Sequence, residues 1–303
     1  MPRRAGSLVR HGGLSDPRLL VVAAAVLWGT TGTARALGPG DASPAAVGAV
    51  RLVIGGACLM ALARATDVLP AGEGTGGRRR ARLPVGVAAL AVATYQPLFF
   101  GGVARTGVAV GTVVGIGSAP VFAGLLGAAV RGERPGGRWV AATALALGGT
   151  ALLVGTGSGD DVDPVGIALA LGAGGAYAVY VLASKLALDQ GWAPDALTVR
   201  VFAWAGVVLA PVALLAGVGP LVTPGGLVMV LHLGVVTVAV AYLLFGRGLD
   251  GVGVGAAGTL TLAEPATAAV LGVVVVGERF GGATAAGIAL VAAGLVVLVT
   301  QRR

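Results

Sequence analysis

A carboxylate stands beside a proline inside a long apolar stretch of this sequence. Glu264 and Pro265 lie within residues 258–279, which are long enough to cross a bilayer and end in the letters GER. A carboxylate at membrane depth is costly, so we interpret Glu264 first as a functional residue. Proline has no N–H, so Pro265 is expected to free the carbonyl of Thr261 and to bend the helix.

Four roles fit the Glu264 side chain. Desolvation favours the neutral form of a carboxyl, so Glu264 could take up and release protons near neutral pH. It could instead bind a cationic group of a substrate, or pair with an arginine such as Arg51. The structural alternative is that Glu264 caps the backbone gap made by Pro265.

The same pattern occurs earlier in the chain without the acid. Pro120 precedes Glu133 of a first GER sequence by the same spacing that separates Pro265 from Glu278. We therefore interpret the chain as two related halves, with matched helix bends at Pro120 and Pro265. Glu133 and Glu278 are expected at membrane boundaries, as ion-pair partners or helix caps.

Aromatic and polar side chains form a matched stripe in each half. The members lie at i, i+3 and i+7, so they share one helix face: Trp28, Thr31 and Arg35 in the first half, and Tyr177, Tyr180 and Ser184 in the second. Such aromatic residues either anchor or pack a membrane helix or line a cavity.

Two further apolar stretches carry polar groups. One contains Tyr95 and Gln96, and the other contains His232 and Tyr242. Gln96 and His232 either form a hydrogen bond between helices or face a substrate, and His232 could also carry a proton.

The composition is that of an integral membrane protein. Of 303 residues, 56% are hydrophobic and 11% charged, with a mean hydropathy of +0.92. Taking about 20 apolar residues per crossing, we predict an all-α fold with ten transmembrane helices. The predicted spans are 19–37, 44–63, 84–103, 108–130, 137–155, 164–186, 196–216, 225–246, 252–276 and 281–300.

The basic residues predict the orientation of these spans. With both termini in the cytoplasm, seventeen lysines and arginines lie on that side and three on the other, as the positive-inside rule requires. The net charge of +8 is thus explained by topology and does not call for nucleic acid. Five spans per half invert the second half relative to the first.

The predicted order of segments follows from these spans. It comprises a cytoplasmic tail at 1–18, a first five-helix repeat at 19–155, an external linker at 156–163, a second five-helix repeat at 164–300 and a cytoplasmic tail at 301–303. The chain has one cysteine and two histidines, which exclude a metal site built on cysteines. No enzyme motif or nucleotide-binding loop is present, so we expect neither catalysis nor a cofactor.

These features together resemble the EamA-like family of the drug/metabolite transporter superfamily. The resemblance covers nearly the whole chain, and its carriers occur in the family's order. They are Trp28-Gly29, the stretch RLVIGGACL beginning at Arg51, the fourth span ending in GER, the Tyr242 region ending in RGL, and Glu264-Pro265 followed by the second GER.

The resemblance implies two inverted five-helix repeats around a central cavity in a bacterial inner membrane. It also implies a secondary transporter that exports amino acids or related small metabolites by alternating access. Carried onto this chain, the cavity residues are Trp28, Tyr95, Gln96, Tyr177, Tyr180, His232, Tyr242 and Glu264, with Glu264 as the proton or cation site. The family often has Trp at the position of Tyr177, and the histidine at position 232 is also unusual for it.

Two other functions remain open at this level. One is a proton-coupled exporter of drugs or lipid-like amphiphiles, since an aromatic cavity with one acid suits hydrophobic cations. The other is a membrane scaffold or sensor that does not transport. Glycine-rich peripheral helices would permit a homodimer within the lipid bilayer.

Overall fold

The computed structural model describes residues 16–66, 82–154, 163–277 and 282–299. These residues are helical apart from short connections, which confirms the all-α class. We number ten helices in the described part of the chain. They are α1 (Pro17–Leu37), α2 (Pro44–Ala65), α3 (Arg82–Thr106), α4 (Val114–Arg131), α5 (Gly137–Val154), α6 (Pro164–Asp189), α7 (Pro194–Leu215), α8 (Pro224–Asp250), α9 (Val254–Val276) and α10 (Gly282–Val299).

Helices α3 and α4 meet at a reversal of the chain. Helical backbone continues from Arg82 to Arg131, yet a Cβ atom on Gly111 would lie 2.8 Å from the Cα of Val103. A straight helix would separate residues eight positions apart by about 12 Å. The chain therefore folds back between the two spans.

Eight helices in the described residues are long and apolar enough to cross a membrane, namely α1 to α4 and α6 to α9. Helix α10 contains a shorter apolar stretch, Ala285–Val297. Apolar side chains also face outward, as Val207 of α7 and Leu214 are 62% and 80% exposed. The protein is therefore a multi-pass membrane protein whose lipid-facing surface is apolar.

The helix starts follow directly from local sequence. Proline is the first residue of α1, α2, α6, α7 and α8, where its missing N–H would be unbonded in any case. Asp16, Ser43, Asp163 and Thr223 precede four of these prolines and accept hydrogen bonds from the first helical turn.

A glycine with a left-handed backbone follows the fourth helix of each predicted half, at the first position of the repeated GER pattern. Gly132 after α4 has φ +67°, and Gly277 after α9 has φ +81°. This left-handed conformation is strained for residues with a Cβ and commonly ends helices. Glu278 and Arg279 lie outside the described residues, as do most of the predicted tails, the loop before α3 and most of the 156–163 linker.

Small residues bring the helices close together. Helix α2 packs on α7, α5 on α10, α1 on both α8 and α9, and α6 on both α3 and α4. A Cβ on Gly56 would lie 2.6 Å from the carbonyl oxygen of Phe202, and a Cβ on Gly294 would lie 2.6 Å from that of Ala142. Such contacts supply van der Waals attraction where lipid provides no hydrophobic drive for association.

The bundle has two ends, which we name from its first helix. The N-terminal end contains the start of α1 and the ends of α4, α6 and α8, because Pro17 contacts Gly248 and Arg131 pairs with Asp189. The opposite end contains the end of α1 and the starts of α2 and α6. There Asp163 accepts a 2.8 Å hydrogen bond from Arg105, which lowers the pKa of the Asp163 carboxyl.

Candidate functional site

A partly open cavity of about 430 Å³ lies among seven helices, within the size range of small-molecule sites. Its wall combines aromatic rings, small residues and three charged side chains, Arg35, Arg51 and Glu264. The residues that carry the argument are Trp28, Arg51, Tyr95, Gln96, Tyr177, Tyr242 and Glu264.

The cavity occupies only one half of the bundle. On α1 its lining begins at Trp28 and continues to Arg35, and on α2 it runs from Pro44 to Leu52. The cavity therefore extends from mid-bundle to the opposite end. The half near the N-terminal end is filled by fully buried side chains such as Val21 and Leu249.

Six of the eight side chains predicted for the cavity lie on its wall: Trp28, Tyr95, Gln96, Tyr177, Tyr242 and Glu264. Trp28 is held in place because its indole N–H donates to the Thr237 carbonyl at 2.9 Å. Its ring centroid is 4.7 Å from that of Tyr242 and 6.4 Å from that of Tyr177. This arrangement forms a rigid aromatic floor beneath the charged groups.

Tyr180 and His232 do not line this cavity, which corrects two of the predicted positions. Tyr180 is buried in the packed half, against Phe202 and Phe245. His232 begins a π-helical stretch, His232–Val240, and its Nε2 atom lies 2.9 Å from the Thr30 hydroxyl. This contact with Thr30 is the hydrogen bond between helices that was one of the two roles expected for His232.

His232 lines a second, separate cavity of about 630 Å³ between α1 and α8. Thr30, Thr33 and Met229 share this wall. Helix α1 therefore separates two cavities, with Trp28 on the central side and Thr30 on the other.

Helix α9 is interrupted just before Glu264. Regular α-helix ends at Leu260 and resumes at Ala263. The Thr261 carbonyl was expected to be free, but it accepts the Glu264 backbone N–H at 3.0 Å. Pro265 thus tightens the backbone into a turn, whereas helical residues continue through Pro120 without a comparable break. The expected match between the two prolines is not seen in the backbone.

The Glu264 carboxyl faces the cavity with neither an ion-pair partner nor a hydrogen-bond donor among the described residues. A polar group in such a place is normally satisfied by a partner or by solvent. The side chain is therefore available to a ligand or a proton.

The wall also includes two arginines that the predicted cavity set did not include, Arg35 and Arg51. Arg35 donates to the carbonyl oxygens of Pro39 and Ala42. The sequence suggested Arg51 only as a possible ion-pair partner of Glu264. Whether Arg51 lies in the wall depends on the angle at which α2 packs. Its Nη2 atom donates to the Gln96 side-chain oxygen at 3.3 Å. Arg51 and Glu264 line the same cavity, but the two side chains form no ion pair.

The N-terminal end is closed by a polar network that joins α4, α6, α8 and α9. Lys185 donates to the carbonyl oxygens of Leu249 and Asp250 at 3.0 and 2.5 Å. Arg131 pairs with Asp189 and, at 2.8 Å, with Glu133.

Glu133 completes this network as a helix cap. Its two carboxylate oxygens accept the Val254 backbone N–H at 3.0 and 3.3 Å, at the start of α9. This is one of the boundary roles expected for Glu133, and it favours a negative charge because helix starts carry a partial positive charge. No group of three potential metal ligands occurs in the described part of the chain.

Comparisons with known proteins agree with this architecture. A family model for the EamA-like transporter family matches residues 18–155 and again residues 164–300. An uncharacterized transporter, YwfM of Bacillus subtilis (strain 168), is 43% identical over 280 residues, which cover 92% of each chain. A solved crystal structure with 24% identity has a TM-score of 0.78 over 94% of this chain and 96% of that one, a likeness that shows the fold alone. This chain therefore belongs to the EamA-like transporter family.

Proposed function

We propose that this protein is a secondary transporter that exports amino acids or related small metabolites by alternating access. The observation that carries the proposal is the half-length central cavity. It holds the Glu264 carboxyl, which has no partner among the described residues, and it is closed beneath by packed side chains. Alternating access requires such a site that is reached from one side at a time.

The proposed architecture is two inverted five-helix repeats, 19–155 and 164–300. The pattern of helix contacts supports it, because exchanging each helix for the one five positions later preserves the pairs. The α1 contacts with α8 and α9 correspond to the α6 contacts with α3 and α4, while the α2–α7 and α5–α10 pairs map onto themselves. The two matches to the family model support the same division.

We place the protein in the inner membrane of the cell, with both termini in the cytoplasm. The excess of basic residues on that side supports this assignment. The structure then corresponds to an outward-facing state, in which the polar network at the N-terminal end is the closed cytoplasmic gate. Export requires this gate to open so that substrate enters from the cytoplasm.

The second candidate is export of cationic drugs or amphiphiles. The aromatic walls and the Glu264 carboxyl favour it, since aromatic faces and an acid both attract hydrophobic cations. A non-transporting scaffold would make the same cavity dispensable. Proton coupling through Glu264 is compatible with either transport function.

The experiment that tests export compares metabolites inside and outside cells. Three strains carry the intact protein, an empty vector or the Glu264→Gln variant, with both proteins at equal membrane abundance. We expect amino acids or related compounds to accumulate outside only with the intact protein. Outward movement of added hydrophobic cations alone would support the second candidate, and no difference in any of several media would contradict transport.

Breaking the gate is expected to expose the packed half of the bundle. Lys185→Met removes the donor to two backbone carbonyls, and charge-assisted hydrogen bonds are worth about 1.5–3 kcal/mol each. In a Cys58→Ser background, a cysteine placed at the fully buried Val21 should react about tenfold faster with a thiol reagent when Lys185 is replaced. The measurement is the labelling rate in inside-out vesicles.

Arg247→Met serves as the matched control at the same end. Arg247 pairs with Asp195 at 2.7 Å, but its side chain is 52% exposed, and exposed pairs contribute little. We expect less than a twofold change in labelling for this variant. Equal labelling rates for Lys185→Met and the unaltered chain would show that Lys185 does not hold the gate.

A further inference from the structure

Two side chains of opposite charge, Arg51 and Glu264, line the central cavity without pairing with each other. The third charged side chain of the wall, Arg35, already donates to the carbonyl oxygens of Pro39 and Ala42. Building on the proposed function, we infer that Arg51 binds an anionic group of the substrate while Glu264 binds a cationic group. The substrate class is then a zwitterion of amino-acid size, with its apolar part against the aromatic walls.

The Arg51 guanidinium has hydrogen-bond donors that the described residues leave unused. Arg51 lines the cavity, and its Nε atom is buried without a hydrogen-bond partner among the described residues. Within the part of the chain that the structure describes, its Nη2 atom has only the 3.3 Å contact with Gln96. A guanidinium has five N–H donors, and a buried donor left unbonded is costly.

A carboxylate is the group that satisfies this geometry best. It accepts two parallel hydrogen bonds from one guanidinium, which adds both energy and orientation. Gln96 is only 6% exposed and holds one side of the guanidinium. Gln96 therefore acts as a positioning residue that keeps Arg51 turned toward the cavity.

The Arg51 and Glu264 side chains both line the same cavity, yet they do not pair within 4.0 Å. An ammonium group at Glu264 and a carboxylate at Arg51 would satisfy both residues at once. The Tyr177 hydroxyl is also buried without a hydrogen-bond partner among the described residues, and the Tyr177 side chain lines the same cavity.

The proposed site discriminates against molecules with a single charge. A cation without a carboxylate would leave Arg51 unsatisfied and would meet its positive charge. An anion without an ammonium group would meet the negative charge of Glu264 in the same way. Both losses are large where solvent screening is reduced, so singly charged analogues should bind poorly.

The test measures binding of matched compounds to the purified full-length protein in lipid nanodiscs. One set is L-leucine, 3-methylbutylamine and 4-methylpentanoate, and the other is L-phenylalanine, phenethylamine and 3-phenylpropanoate. Affinity is obtained from the ligand dependence of the thermal unfolding midpoint. We expect at least one amino acid to bind about tenfold or more tightly than both of its singly charged analogues.

Two variants test which residue binds each charged group of the ligand. With Arg51→Gln, the affinity for the amine should come within about threefold of the affinity for the matching amino acid. With Glu264→Gln, the affinity for the singly charged acid should do so. Arg200→Gln is the matched control, because Arg200 follows Tyr177 by the same spacing that separates Arg51 from Trp28. Its guanidinium stacks over Trp192 at 5.1 Å, outside the cavity. This control variant should still bind the amino acid more tightly than both of its singly charged analogues, as the unaltered protein does.

The outcomes separate this inference from the proposed function. An amine or acid that binds as tightly as its amino acid in both sets overturns the inference, and so does the absence of binding by both amino acids. The comparison on the unaltered protein decides this even where a variant does not fold. Discrimination in binding without any export would retain the zwitterion site and contradict only the transport proposal.

Discussion

Replacing Glu264 by glutamine is expected to lower the transport rate at least tenfold and to remove its dependence on pH. The substitution keeps the shape of the side chain but removes its charge and its proton. No described side chain pairs with the Glu264 carboxyl, so its charge serves a ligand or a proton and no structural partner is lost.

The measurement is the initial rate of uptake into proteoliposomes at pH 6, 7 and 8. The substrate is the compound that the intact protein exports in the metabolite comparison. Size-exclusion profile and thermal midpoint should be unchanged or improved, because an unpaired charge in a bundle is destabilising. Asp195→Asn is the control for loss of a carboxylate, since its pair with Arg247 lies at the bundle end. Equal rates for Glu264→Gln and the intact protein at all three pH values would remove Glu264 from the mechanism.

Replacing Gly174 by alanine is expected to destabilise the bundle by about 1–3 kcal/mol, the usual range for overpacking. A Cβ on Gly174 would overlap the Ser118 hydroxyl and lie 2.7 Å from the Gly115 carbonyl oxygen. The Gly115 contact is with backbone, so α4 and α6 must move apart. This contact supports the cavity wall, because Gly115 itself lines the cavity.

The neighbouring glycine provides a control with identical chemistry. A Cβ on Gly175 would meet no atom within 4 Å, and alanine favours a helix more than glycine does. Thermal unfolding in the same detergent should show a lowered midpoint for Gly174→Ala and an unchanged or raised midpoint for Gly175→Ala. Equal midpoints for the two variants would contradict the close packing of α4 on α6.

The sequence alone was sufficient for the fold class and for much of the helix layout. Apolar runs of bilayer length located the eight helices that are long enough to cross, since a spanning segment must satisfy its backbone internally and present apolar side chains. Five of the predicted spans began within a residue or two of helices that start with a proline. The glycine before Glu133 predicted a turn, and its left-handed backbone explains the residue.

The sequence also located several side chains of the cavity wall. Trp28, Tyr95 and Glu264 are large or polar side chains within apolar spans. Placing a polar side chain there costs free energy, so such residues indicate a cavity. Periodicity placed Trp28, Thr31 and Arg35 on one face of α1, and all three line the cavity. Local pattern sufficed here because neighbours on a regular helix face depend only on spacing.

Only the tertiary structure decided which face of each helix meets the cavity. Tyr180 shares its helix face with Tyr177, yet it lies one turn deeper, where α7 and α8 fill the space with Phe202 and Phe245. His232 begins the π-helical stretch of α8 and meets Thr30 on the far side of α1. The pairing of Arg51 with Gln96, and its separation from Glu264, depend on contacts between residues 45 or more positions apart. Spacing along one helix carries no information about such contacts, because the packing of the other helices determines them.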